Sequence, residues 1–183
     1  MHYIIIKMNN FTFLSQRLHE FNINQLIKFR KEHYSNYILN KRIIDKCIKD
    51  ELNENDDKNI YINSYIKNSL IGTLRITQMG PDVGFSGLYI KKDFRNSVMN
   101  NNKLSYLFFP KAFSTIENTW GYTPTPNLVK INIAKNAPKH ISDMYQLLGF
   151  EYTKTFFTLD KLIIYNAEND YNNFKFRVNK LLL

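Results

Sequence analysis

The stretch GLYIKKDFRNSVMNNNKLSYLFF, residues 87–109, gathers the groups in this chain best placed to hold an anion. It reads as a strand, a polar loop and the opening of a helix. N–H groups at a helix N-terminus lack partners within the helix and carry the positive end of its dipole, so a loop entering one can cradle phosphate. Arg95 and Lys103 add charge around that point. Such loops usually carry glycine, which accepts positive φ and lets an anion approach the backbone closely. Here the turn carries Asn100, Asn101 and Asn102. Asparagine tolerates the left-handed region better than most residues, so the three can take part of the glycine role; a solvated surface turn is the plain alternative.

Other chemistries find little support. Cys47 is the single cysteine, which rules out an internal disulfide, and no base can be assigned to it; no Cys/His cluster has zinc-ligand spacing, so no metal is expected. The 183 residues, 44% hydrophobic and 15% aromatic, suit one folded domain, 1–183, with a real core. The net charge is +9, and most of the excess falls after residue 60, the half that holds the loop. A basic surface attracts nucleic acid, an anionic cofactor or an acidic carrier protein. With no dense Lys/Arg block and no nucleic-acid motif, nucleic acid is not expected as a partner. The apolar run YIIIKM is too short to span a membrane and has no signal-cleavage region behind it, so a cytoplasmic protein is expected.

The elements that must position the loop follow from periodicity. Leu26, Phe29, His33 and Tyr37 lie at steps of three and four, the buried face of a helix capped by Asn22 or Asn24. KRIIDKCIKDEL predicts a second, shorter helix, and NENDDKN a turn. IYINSYI and SLIGTLRITQM, joined by KNS, predict an antiparallel hairpin, and GFSGLYIKK a third strand. Leu104, Phe108, Ala112, Ile116 and Trp120 recur every four residues on a helix over 103–120, with Pro110 expected to kink or restart it. A strand over 128–134, a short helix closed by Gly149, and two final strands complete the order α–α–β–β–β–α–β–α–β–β. The fold class is α/β (α+β), a mixed, mostly antiparallel sheet with helices on both faces.

That order, with LYIKKDFRNS and MYQLLGFEYTKTFF in sequence, resembles the GNAT superfamily of N-acyltransferases over about residues 22–165. The two stretches look like the family's LYVxPxYRGxG and LYxxLGFxxxxxF. The resemblance implies splayed central strands that admit the pantetheine arm of acetyl-CoA or acyl-CoA. Leu88, Tyr89 and Ile90 would bond that arm, Arg95, Asn100, Asn101, Asn102 and Lys103 would surround its pyrophosphate, and Asn136 would join the donor site. Tyr145 matches the family tyrosine beside the thioester, where its phenol would protonate or hydrogen-bond the leaving sulfur. Ser86 stands near the place where many members carry glutamate and is kept as a catalytic position, although a serine is no base at neutral pH. His33 and His140 are the alternative bases, as is ordered water.

The N-terminal half also resembles autoinducer synthases and N-acyl amino acid synthases, through FRKEHY, NDDKNIYINSYIKNSLIGTLRITQMGP and FSGLYIKKDFR. These take acyl groups from an acyl carrier protein, which would explain a loop without glycines. The family's Glu and Arg correspond here to Gly84 and Gly87, so lactone formation is not implied. This likeness puts Arg75 and Arg30 beside the acceptor, with His33 on the same helix. The implied activity is transfer of an acetyl or longer acyl group to a small-molecule or peptide amine by direct attack. A carrier-protein donor and a catalytically inactive binding protein are the alternatives. The tail over 166–183 is apolar enough to pack on the body or on a second subunit, which leaves a homodimer open.

Overall fold

The computed structural model describes residues 11–35, 38, 40–53, 56–95, 97–99, 102–121, 125–134, 137, 139–159 and 162–183. The elements are β1 (Phe11–Gln16), α1 (Ile23–Tyr34), α2 (Lys41–Asn53), β2 (Asn59–Ile66), β3 (Ser69–Met79), β4 (Asp82–Ile90), β5 (Val98–Met99), β6 (Asn102–Lys103), α3 (Leu104–Thr119), β7 (Leu128–Ala134), α4 (Lys139–Leu147), β8 (Glu151–Leu159), β9 (Leu162–Asp170) and α5 (Tyr171–Leu182). Seven strands form one sheet in the order β1-β2-β3-β4-β7-β9-β8. All its pairings are antiparallel except β4 with β7.

Local chemistry explains the joints. The β2–β3 turn puts Lys67 and Asn68 at φ 46 and 67, the geometry that suits a tight hairpin between twisted strands. Asn22 caps α1, its side chain accepting from the N–H groups of Asn24 and Gln25. Gly149 closes α4 at φ 86, where a side chain would be strained.

Gly72 on β3 faces Phe108 of α3, and its neighbour Thr73, paired with Tyr89, points the other way. The main core therefore lies on the α3 face, where Phe85, Phe109, Phe113, Phe150 and Phe174 meet with ring centroids 5.0–6.5 Å apart. Edge-to-face geometry dominates this cluster, the preferred arrangement of ring quadrupoles. Helix α1 covers the opposite face through Phe29, which packs on Leu70 and Tyr89. The α1–α2 pair holds a separate apolar cluster of Ile38, Ile43, Ile44 and Ile48.

Three features differ from the sequence reading. Strand β1 adds an edge to the sheet ahead of residue 22. Helix α3 runs without a break through Pro110. The tail over 166–183 is the end of β9 followed by α5, whose Tyr171, Phe174 and Val178 are fully buried in the main core. Phe176 on the other side of α5 stays exposed.

Candidate active site

The site begins where two strands part. β4 and β7 pair only at Val83–Val129, Gly84–Lys130 and Phe85–Ile131, although β4 continues to Ile90 and β7 to Ala134. Parallel strands normally share evenly spaced hydrogen bonds along their whole length. Among the described residues, the far half of β4 has no strand on that side, and β7 there pairs with β9 alone.

The divergence coincides with a bulge. Arg75 of β3 opposes Ser86 and Thr73 opposes Tyr89, so β4 carries one extra residue over that interval. Gly87 lies inside it at φ 60, a conformation that suits glycine.

Beyond the bulge is a cavity of about 210 Å³, lined by Leu88, Tyr89, Ile90, Arg95, Lys103, Ser105, Tyr106, His140, Ile141, Met144 and Tyr145. It collects the end of β4, the loop after it, the first turn of α3 and one face of α4. Arg95 and Lys103 make this wall basic, and both are exposed. Arg95 is fixed at its root, with Nε donating to the Ile90 carbonyl at 3.0 Å and the guanidinium 5.0 Å from the Tyr89 ring centre. Tyr145 is 9% exposed and packs on Phe150.

The described residues of the loop between β4 and α3 include a small hairpin, β5 with β6. Val98 opposes Lys103, Met99 opposes Asn102, and the Leu104 N–H donates to the Ser97 carbonyl at 3.0 Å. Asn102 therefore works as a strand residue, and its side-chain amide donates to the Leu182 carbonyl at the end of α5. Lys103 is the N-cap position of α3 and makes no side-chain cap, and Ser105 and Tyr106 of the first turn line the cavity. Asn100, Asn101 and Asn136 lie outside the described residues.

The remaining candidates sit on the α1 face. Arg75 and Ser86 are brought together, with Arg75 Nε donating to Ser86 Oγ at 2.9 Å. Arg30 is 1% exposed; Nε donates to Glu51 Oε1 at 3.0 Å, Nη2 lies 3.0 Å from the same oxygen, and Nη1 donates to the Gly87 carbonyl at 2.7 Å. Burial alone would depress its pKa, but the charge of Glu51, helped by Tyr34 and Tyr61, raises it. Arg30 stays a cation inside the protein. Tyr34, half-buried beside Glu51, has its pKa pushed up to about 12, and Tyr61 is shifted in the same direction.

His33 lies on α1 with its ring centre 4.7 Å from that of Tyr89. Burial, then the charges of Arg30 and Arg95, lower its pKa to about 3. A histidine so depressed is neutral at pH 7 and a feeble base. Tyr89 bridges both sides of the strand: it lines the cavity while its hydroxyl donates to Glu32 at 2.6 Å, and burial followed by that bond pushes its pKa up to about 12. The cavity thus unites Leu88, Tyr89, Ile90, Arg95, Lys103, His140 and Tyr145, whereas Arg30, His33, Arg75 and Ser86 stand behind β4.

No protein-family model matches the chain, and no curated protein matches it in sequence. Solved structures do. The PaiA N-acetyltransferase of Thermoplasma acidophilum, determined in complex with coenzyme A, superposes with a TM-score of 0.60 at 14% identity over 88% of this chain and 99% of its own. An acyl-CoA N-acyltransferase from Pseudomonas aeruginosa gives 0.60 at 15% identity, over 87% and 99%. The ribosomal-protein-S18-alanine N-acetyltransferase of Escherichia coli gives 0.61 at 8%, over 87% and 93%. The chain has the GNAT fold. Within it, the parting of β4 from β7 is the splay anticipated from the sequence.

Sequence reasoning missed several cavity residues of this GNAT fold. Ser105 and Tyr106 follow the anticipated helix start, and Ile141 and Met144 lie one turn and one residue before Tyr145. The helical spacing around Tyr145 was the available signal for the last two. Glu51, the partner of Arg30, had none. The fold brings the two together across 21 residues, from separate helices. Cys47 is half-buried with its thiol pKa raised, first by burial and then by Asp50, which leaves it a poor nucleophile. Among the described residues no helix is long and apolar enough to cross a membrane, and no group of three or more His, Cys, Asp or Glu could hold a metal.

Proposed function

We propose that this chain is an N-acyltransferase that moves an acetyl or longer acyl group from acyl-CoA to a primary amine. The observation that carries the reading is the loss of β4–β7 pairing after Phe85, with a basic-walled cavity beside the freed half of β4. Unpaired strand N–H and C=O groups seek partners, and the amides of a pantetheine arm supply them in complementary order. Arg95, Lys103 and the α3 N–H groups suit the phosphates at the outer end. The coenzyme A held by the PaiA structure, on the same fold, supports this donor.

The step is direct. The neutral amine nitrogen bonds to the thioester carbonyl carbon, the carbonyl oxygen takes the developing negative charge, and the C–S bond then breaks as the sulfur leaves. Tyr145, at the cavity's α4 wall, is the group we assign to give the departing sulfur a proton. Cys47, with its raised pKa, favours no acyl-enzyme. His33 is too weak a base to take the amine proton, and Ser86 is occupied as an acceptor for Arg75, so His140, which lines the cavity, and ordered water are the routes for that proton. Arg75 is then left to favour an acceptor that carries a carboxylate.

One observation favours a second donor. The hairpin after β4 and the Leu104–Ser97 bond use backbone groups that a pyrophosphate nest would need. A pantetheine arm on a carrier protein presents a single phosphate and suits such a loop. Thermal unfolding with coenzyme A, acetyl-CoA, long-chain acyl-CoA and 3′-phosphoadenosine separates the readings. Saturating coenzyme A at a hundred times Kd should stabilise the protein by about 2.7 kcal/mol. Indifference to coenzyme A with binding to an acylated carrier transfers the case to the second donor. Silence toward every thioester overturns both and leaves a binding protein of GNAT fold.

A further inference from the structure

Arg30 is the largest fully buried side chain among the described residues, and it joins one carboxylate to one peptide. Its Nη1 donates to the Gly87 carbonyl at 2.7 Å, while Glu51 holds the rest of the fork at 3.0 Å. The approach is so close that a Cβ on Gly87 would sit 2.6 Å from both terminal nitrogens. That carbonyl belongs to the extra stretch of β4, where the ladder slips by one residue.

A trans peptide points its C=O and N–H in opposite directions. With the Gly87 carbonyl held toward α1, the Leu88 N–H points away from α1, on the side where Leu88 lines the cavity with residues of α3 and α4. A cation bonded to a carbonyl draws charge through the amide and makes its N–H a stronger donor. We propose that Arg30 is a positioning residue: bonded to the Gly87 carbonyl and braced by Glu51, it fixes the Gly87–Leu88 peptide and sharpens the Leu88 N–H as the donor that meets the negative oxygen formed on a thioester carbonyl. The oxyanion role rests on the acyl-transfer reading; the fixing of the peptide does not.

Removing Arg30 alone would strand the Glu51 charge in the interior, so two other variants carry the test. Arg30→Lys keeps a cation beside Glu51 but gives up the planar fork that serves both partners. Arg30→Met/Glu51→Leu removes both charges at similar volume. The first readout is the Leu88 amide proton resonance in the unliganded protein, which should move upfield in both variants. An unmoved resonance in a folded variant overturns the proposal, whatever the protein binds. The second readout is the carbonyl carbon resonance of [1-¹³C]acetyl-CoA. Wild type should shift it downfield, and the variants should reduce that shift at least about twofold while holding coenzyme A within about threefold of wild-type affinity. An equal downfield shift overturns the proposal. So does joint loss of thermal stability and coenzyme A binding in both variants, because Arg30 is then a fold element only. Wild type that ignores coenzyme A defeats the acyl-CoA reading instead, and the amide resonance still decides the fixing of the peptide.

Discussion

Gly87→Ala tests the geometry around Arg30 most directly, because its cost can be worked from two separate effects. At φ 60 an alanine sits in the left-handed region, a strain of about 1–2 kcal/mol. The new methyl also lands 2.6 Å from Arg30 Nη1 and Nη2, so the guanidinium must retreat from the Gly87 carbonyl. Losing a hydrogen bond from a charged donor costs about 1.5–3 kcal/mol, which brings the total to about 2.5–5 kcal/mol. Gly80→Ala is the matched control: its φ is 65, and an added Cβ meets nothing within 4 Å. That variant should lose only the strain, about 1–2 kcal/mol. Urea unfolding at pH 7 with a common slope should therefore show an excess of about 1.5–3 kcal/mol for Gly87→Ala. The excess should shrink sharply in an Arg30→Lys background, where the carbonyl has already lost its partner. Equal costs at positions 80 and 87, or an excess indifferent to Arg30, would refute the idea that the guanidinium grips this peptide.

Three further outcomes follow from the site. His33, with a pKa near 3 against an ordinary 6.5, is neutral in the folded protein, so the unfolded chain takes the proton first as pH falls. Its full contribution is present above pH 6.5 and is lost toward pH 3 at up to ~1.4 kcal/mol per pH unit; His33→Gln should show about 2 kcal/mol less destabilisation between pH 7 and pH 5 in urea titrations. Tyr145→Phe should lower kcat about 10²-fold with coenzyme A affinity nearly unchanged, and equal turnover would remove the phenol from the mechanism. Lys103→Ala, exposed at the mouth of α3, should weaken coenzyme A binding about 3–10-fold at low salt and much less at high salt; a salt-independent loss would mean that the lysine does not meet a phosphate.

The strands and helices were legible wherever a strong period ran for several residues. β7 fell on 128–134 as expected, and the β2–β3 hairpin was announced by alternation on either side of a short polar turn. Strand β1 and helix α5 were not, because a six-residue edge strand with one face half-exposed carries little pattern, and α5 was read as an unplaced tail. Pro110 does not restart the helix: packing of Phe108, Phe109, Ala112 and Phe113 into the core outweighs one lost helical bond. Of the site, the residues contiguous in sequence with the β4 strand were legible, and so was Tyr145. The asparagine run was read as a cradle or a surface turn; its flanking residues Val98, Met99, Asn102 and Lys103 pair as a hairpin, which no period in the sequence announced. The place of Arg30 turned on Glu51 and on a backbone carbonyl 57 positions away, neither of which has a signature in one sequence.

The α1–α2 unit has its own oily centre and meets the sheet partly through a guanidinium bonded on two sides. A purely greasy seam would let two helices glide by fractions of an ångström at little cost, but a bond that fails within half an ångström does not. This joint therefore behaves as a latch, closed or sprung. In native-state hydrogen exchange, the amides of both helices should open in one concerted event, and a ligand that draws on the far side of β4 would slow that event without touching either helix.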